Sequence, residues 1–265
     1  MYYILGYKSI IQSMNDSICL HPYLYHSYDD FIKNKSVFSV IPNKKFPVFT
    51  SYKEGLKFCQ NHLISLKDKF SENTEKIENM IKNKIFYEWF DTLKDHDEIY
   101  TLINKIIKLV IINKLSSYTN GTTKNSIGLA CIDFKDNFSK QDFLELIFHQ
   151  LIHMVLFIDD IASSHMKEDD KLITVEVEGI KSIFNDNKFP IYTLFHSYIV
   201  GVEIFNYRSE LFGIKSNSTY HGTTERIIKL CQTMAISIEK NIFLFSNRAK
   251  DIFNLSKKLM PYTNN

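Results

Sequence analysis

Apolar residues recur at helical spacing along most of this chain, and this pattern predicts a mainly helical protein with a small β component, in the α+β class. Ile77, Ile81 and Ile85, for example, follow one another at four-residue intervals. The 8 glycines and 5 prolines favour long helices over many short strands. Helices are predicted at residues 56–66, 77–89, 99–115, 139–158, 191–212 and 223–245, with a shorter one after Asn247.

Strands are predicted where short apolar runs or alternating patterns interrupt the helical spacing. They are residues 2–11, 36–41, 127–134 and 172–178, and residues 118–125 are predicted as a loop. In the last strand Glu176 and Glu178 alternate with valines, which is typical of the solvent-facing side of a strand. We therefore expect a small β or irregular N-terminal segment, 1–50, and a helical domain, 51–265, that form one continuous globular unit.

The helix that follows Ser139 is the best defined. Ser139 is a candidate N-cap and Asp142 stands three residues later, which is a variant of the capping box. The helix is predicted to end at Asp159 and Asp160. Further along the chain, Pro190 precedes another long helix and Gly213 is placed to terminate it, and Thr223 or Thr224 is a candidate N-cap for the last long helix.

Composition excludes several classes of partner. The net charge of +2 is too small to indicate nucleic-acid binding. No apolar run reaches the roughly 18 residues that a membrane span requires. The four cysteines form no CxxC pair, which is typical of reduced thiols, and no signal peptide is evident. We expect a cytoplasmic protein, and the sequence does not indicate its oligomeric state.

His149 and His153 are the most distinctive residues of the predicted helix 139–158. Side chains at i and i+4 lie one turn apart on the same face, so both imidazoles can bind one metal ion. Their neighbours are apolar, and an unliganded ring there needs another hydrogen-bond partner. The alternative interpretation is a pair of core or surface histidines with ordinary hydrogen bonds.

Gln150 occupies the position at which zinc peptidases with an HExxH helix carry glutamate. That glutamate takes a proton from the metal-bound water, and an amide cannot do so. Hydrolysis by this route is therefore disfavoured, whereas metal binding is unaffected. A metal ion that activates dioxygen needs open coordination positions rather than a glutamate base.

A third ligand is expected from the predicted helix 191–212. His196 and Glu203 are seven residues apart on one face, and we favour His196. Glu203 is then an alternative ligand or a partner that orients a ligating imidazole, and Gln150 is a second candidate for such a contact. A structural histidine bonded to a backbone carbonyl is the alternative for His196. His165 and His221 lie in predicted polar loops and are not included.

Basic residues near this helix are candidates for binding an anionic cosubstrate. Arg208 suits bidentate capture of a carboxylate such as the distal carboxylate of 2-oxoglutarate, and Lys188 is a second candidate. Arg226 and Arg248 are weaker candidates. The alternative for Arg208 is an exposed helix arginine paired with an acidic side chain.

The region from Ile127 to Arg208 resembles the HEXXH-motif proteins of gene clusters for ribosomally made, modified peptides (RiPPs). The resemblance is carried by the capped helix with HxxxH, the Lys188-Phe189-Pro190 turn and the helix with His196. Several members of that family are iron- and 2-oxoglutarate-dependent peptide β-hydroxylases. The resemblance implies Fe(II) bound by His149, His153 and His196. Gln150 departs from the family's usual glutamate.

These observations lead to one main functional hypothesis and two alternatives. The main hypothesis is Fe(II)- and 2-oxoglutarate-dependent hydroxylation of a side chain in a ribosomally made peptide. The first alternative is a catalytically silent, metal-stabilised protein that binds a peptide or a partner enzyme. The second is a zinc hydrolase that uses a base other than Gln150.

Overall fold

The computed structural model of this protein describes residues 1–19, 26–35, 38–42, 47–59, 73–113, 122–180 and 187–261. It is mainly α with a small β component, as predicted. The chain divides into two compact units, one of residues Met14–Phe157 and one of Met1–Ser13 with Ile158–Asn265. This division differs from the predicted boundary after residue 50.

The unit of residues 14–157 is built around a three-stranded parallel sheet. Its strands are β1 (Val48–Ser51), β2 (Leu109–Asn113) and β3 (Leu129–Asp133), and they lie in that order. Val110 of β2 pairs with Phe49 on one side and with Ala130 on the other. The central strand is buried from Leu109 to Ile112, as is typical of a parallel sheet covered on both faces.

Helices make up most of the rest of this unit. They are the last part of α2 (Tyr7–Cys19), α3 (Tyr28–Lys35), α4 (Tyr52–Gly55), α5 (Glu75–Lys82), α6 (Ile85–Asp91), α7 (Asp97–Ile106) and the first eighteen residues of α8 (Lys140–Ala162). Short 3-10 helices lie at Leu56–Phe58, Thr92–Asp95 and Lys124–Ser126. Aromatic rings fill the space beside the sheet: Phe143 of α8 packs against Phe49 of β1 at a centroid distance of 5.5 Å.

Two secondary-structure predictions for the first half of the chain were wrong. Residues 99–115 are not one helix, because α7 ends at Ile106 and the chain enters β2 at Leu109. The run of β-branched residues there fits either structure, and pairing with neighbouring strands decides in favour of the strand. Residues 2–11 are also helical rather than extended, in α1 (Tyr2–Leu5) and α2.

Other predictions fall partly outside the described residues. Of the predicted helix 56–66, only residues 56–59 are described, and they include a short 3-10 helix. Two other predictions also include residues outside the described ranges: residues 36 and 37 of the predicted strand 36–41, and residues 118–121 of the predicted loop 118–125. Phe38, which is described, forms an isolated antiparallel bridge with Cys59. The predicted helix 77–89 is two helices, divided near Lys84, which has a φ of 60°.

The second unit consists of α1, the first part of α2 and the chain from Ile158 onward. Its other helices are the end of α8, α9 (Ile191–Leu211), α10 (Thr224–Lys240) and α11 (Asn247–Lys258), with 3-10 helices at Glu168–Asp170 and Ile242–Leu244. Two antiparallel strand pairs complete it, β4 (Thr174–Glu176) with β5 (Lys188–Pro190) and β6 (Asn217–Ser218) with β7 (Gly222–Thr223). The predicted strand 172–178 is therefore confirmed in part, with both its valines buried and both its glutamates exposed.

The start of α10 and the end of α9 confirm the predictions from capping residues, whereas α10 ends at Lys240 rather than at the predicted residue 245. Thr223 caps α10, with its side chain accepting a hydrogen bond from the backbone N–H of Arg226. Gly213 has a φ of 86°, the left-handed conformation that glycine adopts most easily after a helix. α9 packs against α10, where Gly201 allows close approach to Cys231. Over the described ranges, no helix has both the length and the apolar character needed to cross a membrane.

Candidate metal centre

Helix α8 carries the histidine pair, and its start is fixed by the predicted capping box. The backbone N–H of Ser139 donates to Asp142 Oδ2 at 2.8 Å, and the backbone N–H of Asp142 donates to Ser139 Oγ at 3.2 Å. The helix continues to Ala162, four residues beyond its predicted end at Ile158. His149 and His153 therefore lie well inside a long regular helix, which fixes the spacing of their backbones.

The side chains of His149 and His153 converge. Their Nε2 atoms are 3.1 Å apart, and the ring centroids are separated by 4.9 Å with an interplanar angle of 56°. Both residues are half-buried. Phe157, one turn further along α8, stacks on His153 at a centroid distance of 6.4 Å. The two nitrogens thus face each other at the edge of an apolar environment.

Burial lowers the pKa of His153 to about 4. The cause is desolvation, which disfavours the charged imidazolium. His153 is therefore neutral near pH 7, and a neutral imidazole is the form that binds a metal ion.

The separation of the two nitrogens fits binding of one cation. Two metal–nitrogen bonds of about 2.1 Å to atoms 3.1 Å apart enclose an angle of about 95° at the metal. That angle is close to the one between neighbouring ligands of an octahedral ion. The same distance also fits a hydrogen bond in which one ring donates and the other accepts. Metal-binding measurements distinguish the two arrangements, because a metal ion added to the protein binds in the first arrangement and does not bind in the second.

The side chain of Gln150 is fully buried and has no hydrogen bond within the described residues. Its relative exposure is 0 %, and within the described parts of the chain neither its Nε2 nor its Oε1 has a partner. Leaving a buried polar group unpaired costs about 1–3 kcal/mol. One residue turns a helix by about 100°, so Gln150 stands about 60° from His153 around the axis of α8. The unpaired amide therefore neighbours the histidine pair.

Glu145 is a buried acidic residue that sequence analysis did not single out. It lies one turn before His149 on α8, has no exposed surface, and accepts a hydrogen bond from Gln141 Nε2 at 2.8 Å. The signal was a polar stripe at residues 141, 145, 149 and 153 within an apolar helix. A carboxylate on this face favours a nearby cation.

His196 lies on α9, in the other unit. It is 3 % exposed, and its ring is 4.4 Å from the ring of Tyr192. Among the described residues, no group of three or more His, Cys, Asp or Glu side chains is arranged to hold a metal ion. The structure thus brings His149 and His153 together, and the assignment of His196 as a third ligand stays a prediction.

Glu203 has a structural role on α9. Its carboxylate accepts hydrogen bonds from the backbone N–H groups of Tyr3 and Ile4, each at 3.0 Å, and contacts the α-amino group of Met1. Glu203 thus holds the start of α1. No described contact supports the predicted role of Glu203 as an alternative ligand or as the partner of a ligating imidazole.

Arg208 is completely buried, which contradicts the alternative interpretation of an exposed arginine. Its Nη1 donates to the carbonyl of Gly222 at 2.8 Å and its Nη2 donates to Ser218 Oγ at 3.0 Å, so it holds the β6–β7 turn against α9. Its role in binding 2-oxoglutarate stays a prediction. Lys188, the second candidate, is exposed at the start of β5, where it is in register with Glu176.

A buried ionic network near the end of α8 was missed by sequence analysis. Asp159 accepts from Arg248 through Nε at 3.0 Å and Nη2 at 2.6 Å, and His165 Nε2 is 2.7 Å from the same carboxylate. His165 lies in a loop, as predicted, but it is fully buried rather than exposed to solvent. Arg248 does bind a carboxylate, but that carboxylate belongs to the protein.

The electrostatics of this network favour charged carboxylates. Burial alone raises the pKa of Asp159, but hydrogen bonds from His165 and Arg248 outweigh it and hold that pKa well below its usual range. The neighbouring Asp160 accepts from Lys171 at 2.7 Å and from the hydroxyl of Tyr192 at 3.0 Å. These bonds lower the pKa of Asp160 in spite of its burial. The only signal in the sequence was a pair of aspartates at the end of an apolar helix.

Comparison with models of known protein families and with curated proteins finds no match for this chain.

Proposed function

We propose that this protein is a metal-dependent oxygenase that uses Fe(II) and 2-oxoglutarate to hydroxylate a side chain in a ribosomally made peptide. The observation that carries the proposal is the 3.1 Å separation of the Nε2 atoms of His149 and His153. We place the activity in the cytoplasm, because the four cysteines are free thiols.

The residues of α8 fit two of the positions around such an ion. His153 is neutral near pH 7 because burial lowers its pKa to about 4, so no proton competes with the metal there. His149 is positioned one turn earlier by the same rigid helix. His196 is proposed as the third ligand, as the family resemblance implies, and Zn is the alternative metal.

Gln150 supports oxygenase chemistry over peptide hydrolysis. A hydrolase of the HExxH type needs a carboxylate at this position to take a proton from water, and the Gln150 amide does not accept one. When bound, Fe(II) and 2-oxoglutarate supply an oxidation that does not need such a base. Overall, dioxygen, 2-oxoglutarate and the substrate C–H group give succinate, carbon dioxide and the hydroxylated side chain.

The proposal is tested by anaerobic addition of Fe(II) and then 2-oxoglutarate to the purified protein. We expect a weak visible charge-transfer band, since a 2-keto acid that chelates Fe(II) through two oxygens absorbs there. The His149→Ala variant should lose the band. The His221→Ala variant is the matched control, because His221 is not one of the three proposed ligands and its loss should leave the band unchanged.

The outcomes separate the three hypotheses. A band followed by succinate formation in air with a candidate peptide supports the hydroxylase. Tight binding of zinc without a band and without succinate favours a catalytically silent, metal-stabilised protein. Peptidase activity gained by Gln150→Glu favours the zinc hydrolase. A protein that binds no metal contradicts all three.

A further inference from the structure

The amide of Gln150 is an unusual feature of helix α8. It is fully buried, and neither of its polar atoms has a hydrogen-bond partner within the described ranges. The large majority of buried polar side-chain atoms in proteins are paired, so an unpaired amide indicates that a ligand or water completes the site. The neighbours Leu151 and Ile152 are apolar and fully buried, and they offer no side-chain partner.

The position of Gln150 on the helix identifies where that ligand lies. With about 100° of rotation for each residue, His149, His153 and Gln150 stand at about 0°, 40° and 100° around the helix axis. Gln150 precedes His153 by three residues, a spacing at which side chains are neighbours on the surface of a helix. The amide therefore borders the face on which the Nε2 atoms of the two histidines converge at 3.1 Å. Glu145 flanks the pair on the opposite side, one turn earlier.

The chemistry of an amide identifies the class of ligand. Two neutral imidazoles compensate none of the charge of a divalent cation, and the carboxylate of Glu145 compensates only part of it, which favours an anionic oxygen ligand as the next group on the metal. The Nε2–H groups of Gln150 donate hydrogen bonds to such an oxygen. A glutamate in the same place would repel it, because two negative charges would then lie within a few ångströms of each other.

We infer that Gln150 is a specificity-determining residue that donates a hydrogen bond to a carboxylate ligand of the metal bound by His149 and His153. The inference rests on the proposed function, because it needs the metal ion. The inference also assigns a function to glutamine at this position. Gln150 favours a metal-bound carboxylate, such as that of a 2-oxo acid, over a metal-bound water molecule that must be deprotonated.

The experiment measures carboxylate binding without turnover. The protein is loaded with Co(II), and oxalate and 2-oxoglutarate are titrated into it by calorimetry. Gln150→Glu should weaken the affinity for both anions by about tenfold or more, since a charge-assisted hydrogen bond is replaced by repulsion. Its affinity for Co(II) alone should be equal to or higher than that of the unchanged protein.

Two further variants keep the test decisive. Gln150→Met removes the amide without adding charge, so the variant should fold. It should weaken the affinity for both anions by a smaller factor than Gln150→Glu does, and it should raise the melting temperature of the metal-free protein. Gln232→Glu makes the same chemical change on a different helix, α10, and should alter neither the affinity for Co(II) nor the affinities for the two anions.

The results distinguish failure of the inference from failure of the proposed function. If the unchanged protein binds no Co(II), the proposed function and the inference both fall. If it binds Co(II) but Gln150→Glu and Gln150→Met bind oxalate as tightly as the unchanged protein does, the inference alone is overturned. Loss of anion affinity with retained Co(II) affinity supports it.

Discussion

At the scale of single residues, burial decides which polar groups have a structural role. Arg208 and Glu203 are both completely buried and both hydrogen-bonded to their own unit. Gln150 is equally buried but has no partner in the described parts of the chain. Residue type alone predicted these three as candidates for one site. Their hydrogen bonds distinguish the three residues: the polar groups of Arg208 and Glu203 already have partners within the protein, whereas the described residues offer none to the amide of Gln150.

Arg208→Lys tests whether Arg208 has the structural role. Lysine keeps the charge but lacks the planar fork that reaches Gly222 and Ser218 together, so one acceptor is left unpaired. We expect the free energy of unfolding of the metal-free protein to fall by about 1–3 kcal/mol in urea titrations. The exposed Arg226→Lys is the control and should be neutral. Unchanged stability together with weaker 2-oxoglutarate binding would instead favour the cosubstrate role.

At the scale of secondary-structure elements, the long helices were predictable and their partners were not. The capping box of α8, the Thr223 cap of α10 and the glycine after α9 were all predicted correctly, because each depends on residues close in sequence. The strand β2 was predicted as helix, because its β-branched run has no local signal that distinguishes the two. Arg248 and Asp159 are 89 residues apart, so their pairing has no local signal either.

Helix packing in the second unit depends on Gly201. A Cβ atom added there would lie 2.5 Å from Cys231 Sγ, which is too close for two non-bonded atoms. Gly201→Ala should therefore destabilise the protein by about 1–3 kcal/mol, although alanine is the better helix former. Thermal unfolding of the Gly201→Ala/Cys231→Ala double variant should recover most of the loss. If the loss is the same with and without Cys231, the close contact is not its cause.

The contact of α8 with α11 through Asp159 and Arg248 should make stability depend on pH. The pKa of Asp159 is lower in the folded protein than in the unfolded chain, so its stabilising contribution is present at neutral pH. It is lost as the pH falls below about 4 and the unfolded chain takes up a proton.

Asp159→Asn tests this contribution. At pH about 7 it should lower the free energy of unfolding by about 3 kcal/mol, since it breaks a buried ion pair. The difference from the unchanged protein should shrink as unfolding is measured at progressively lower pH. Asp169→Asn, at an exposed aspartate outside this network, is a suitable control. A difference that stays constant down to pH about 3 would show that Asp159 does not contribute through its charge.

At the scale of the whole molecule, the fold class followed from hydropathy patterns, whereas the division into units did not. Residues 1–13 belong with the C-terminal part of the chain, through hydrogen bonds such as those between the start of α1 and Glu203. These contacts join residues about 200 positions apart. The hydropathy pattern of the sequence does not show which residues so far apart in the chain contact each other. The candidate site was predictable only as far as it lies within one helix, in His149, Gln150 and His153.

The central claim is that His149 and His153 together bind one metal ion. Equilibrium dialysis of the purified protein against Zn(II), followed by elemental analysis, tests it most directly. We predict that the unchanged protein and His221→Ala retain one tightly bound ion per chain, whereas His149→Ala and His153→Ala retain none. An equal metal content in all four proteins, or no bound metal in the unchanged protein, would mean that the two imidazoles are only hydrogen-bonded to each other.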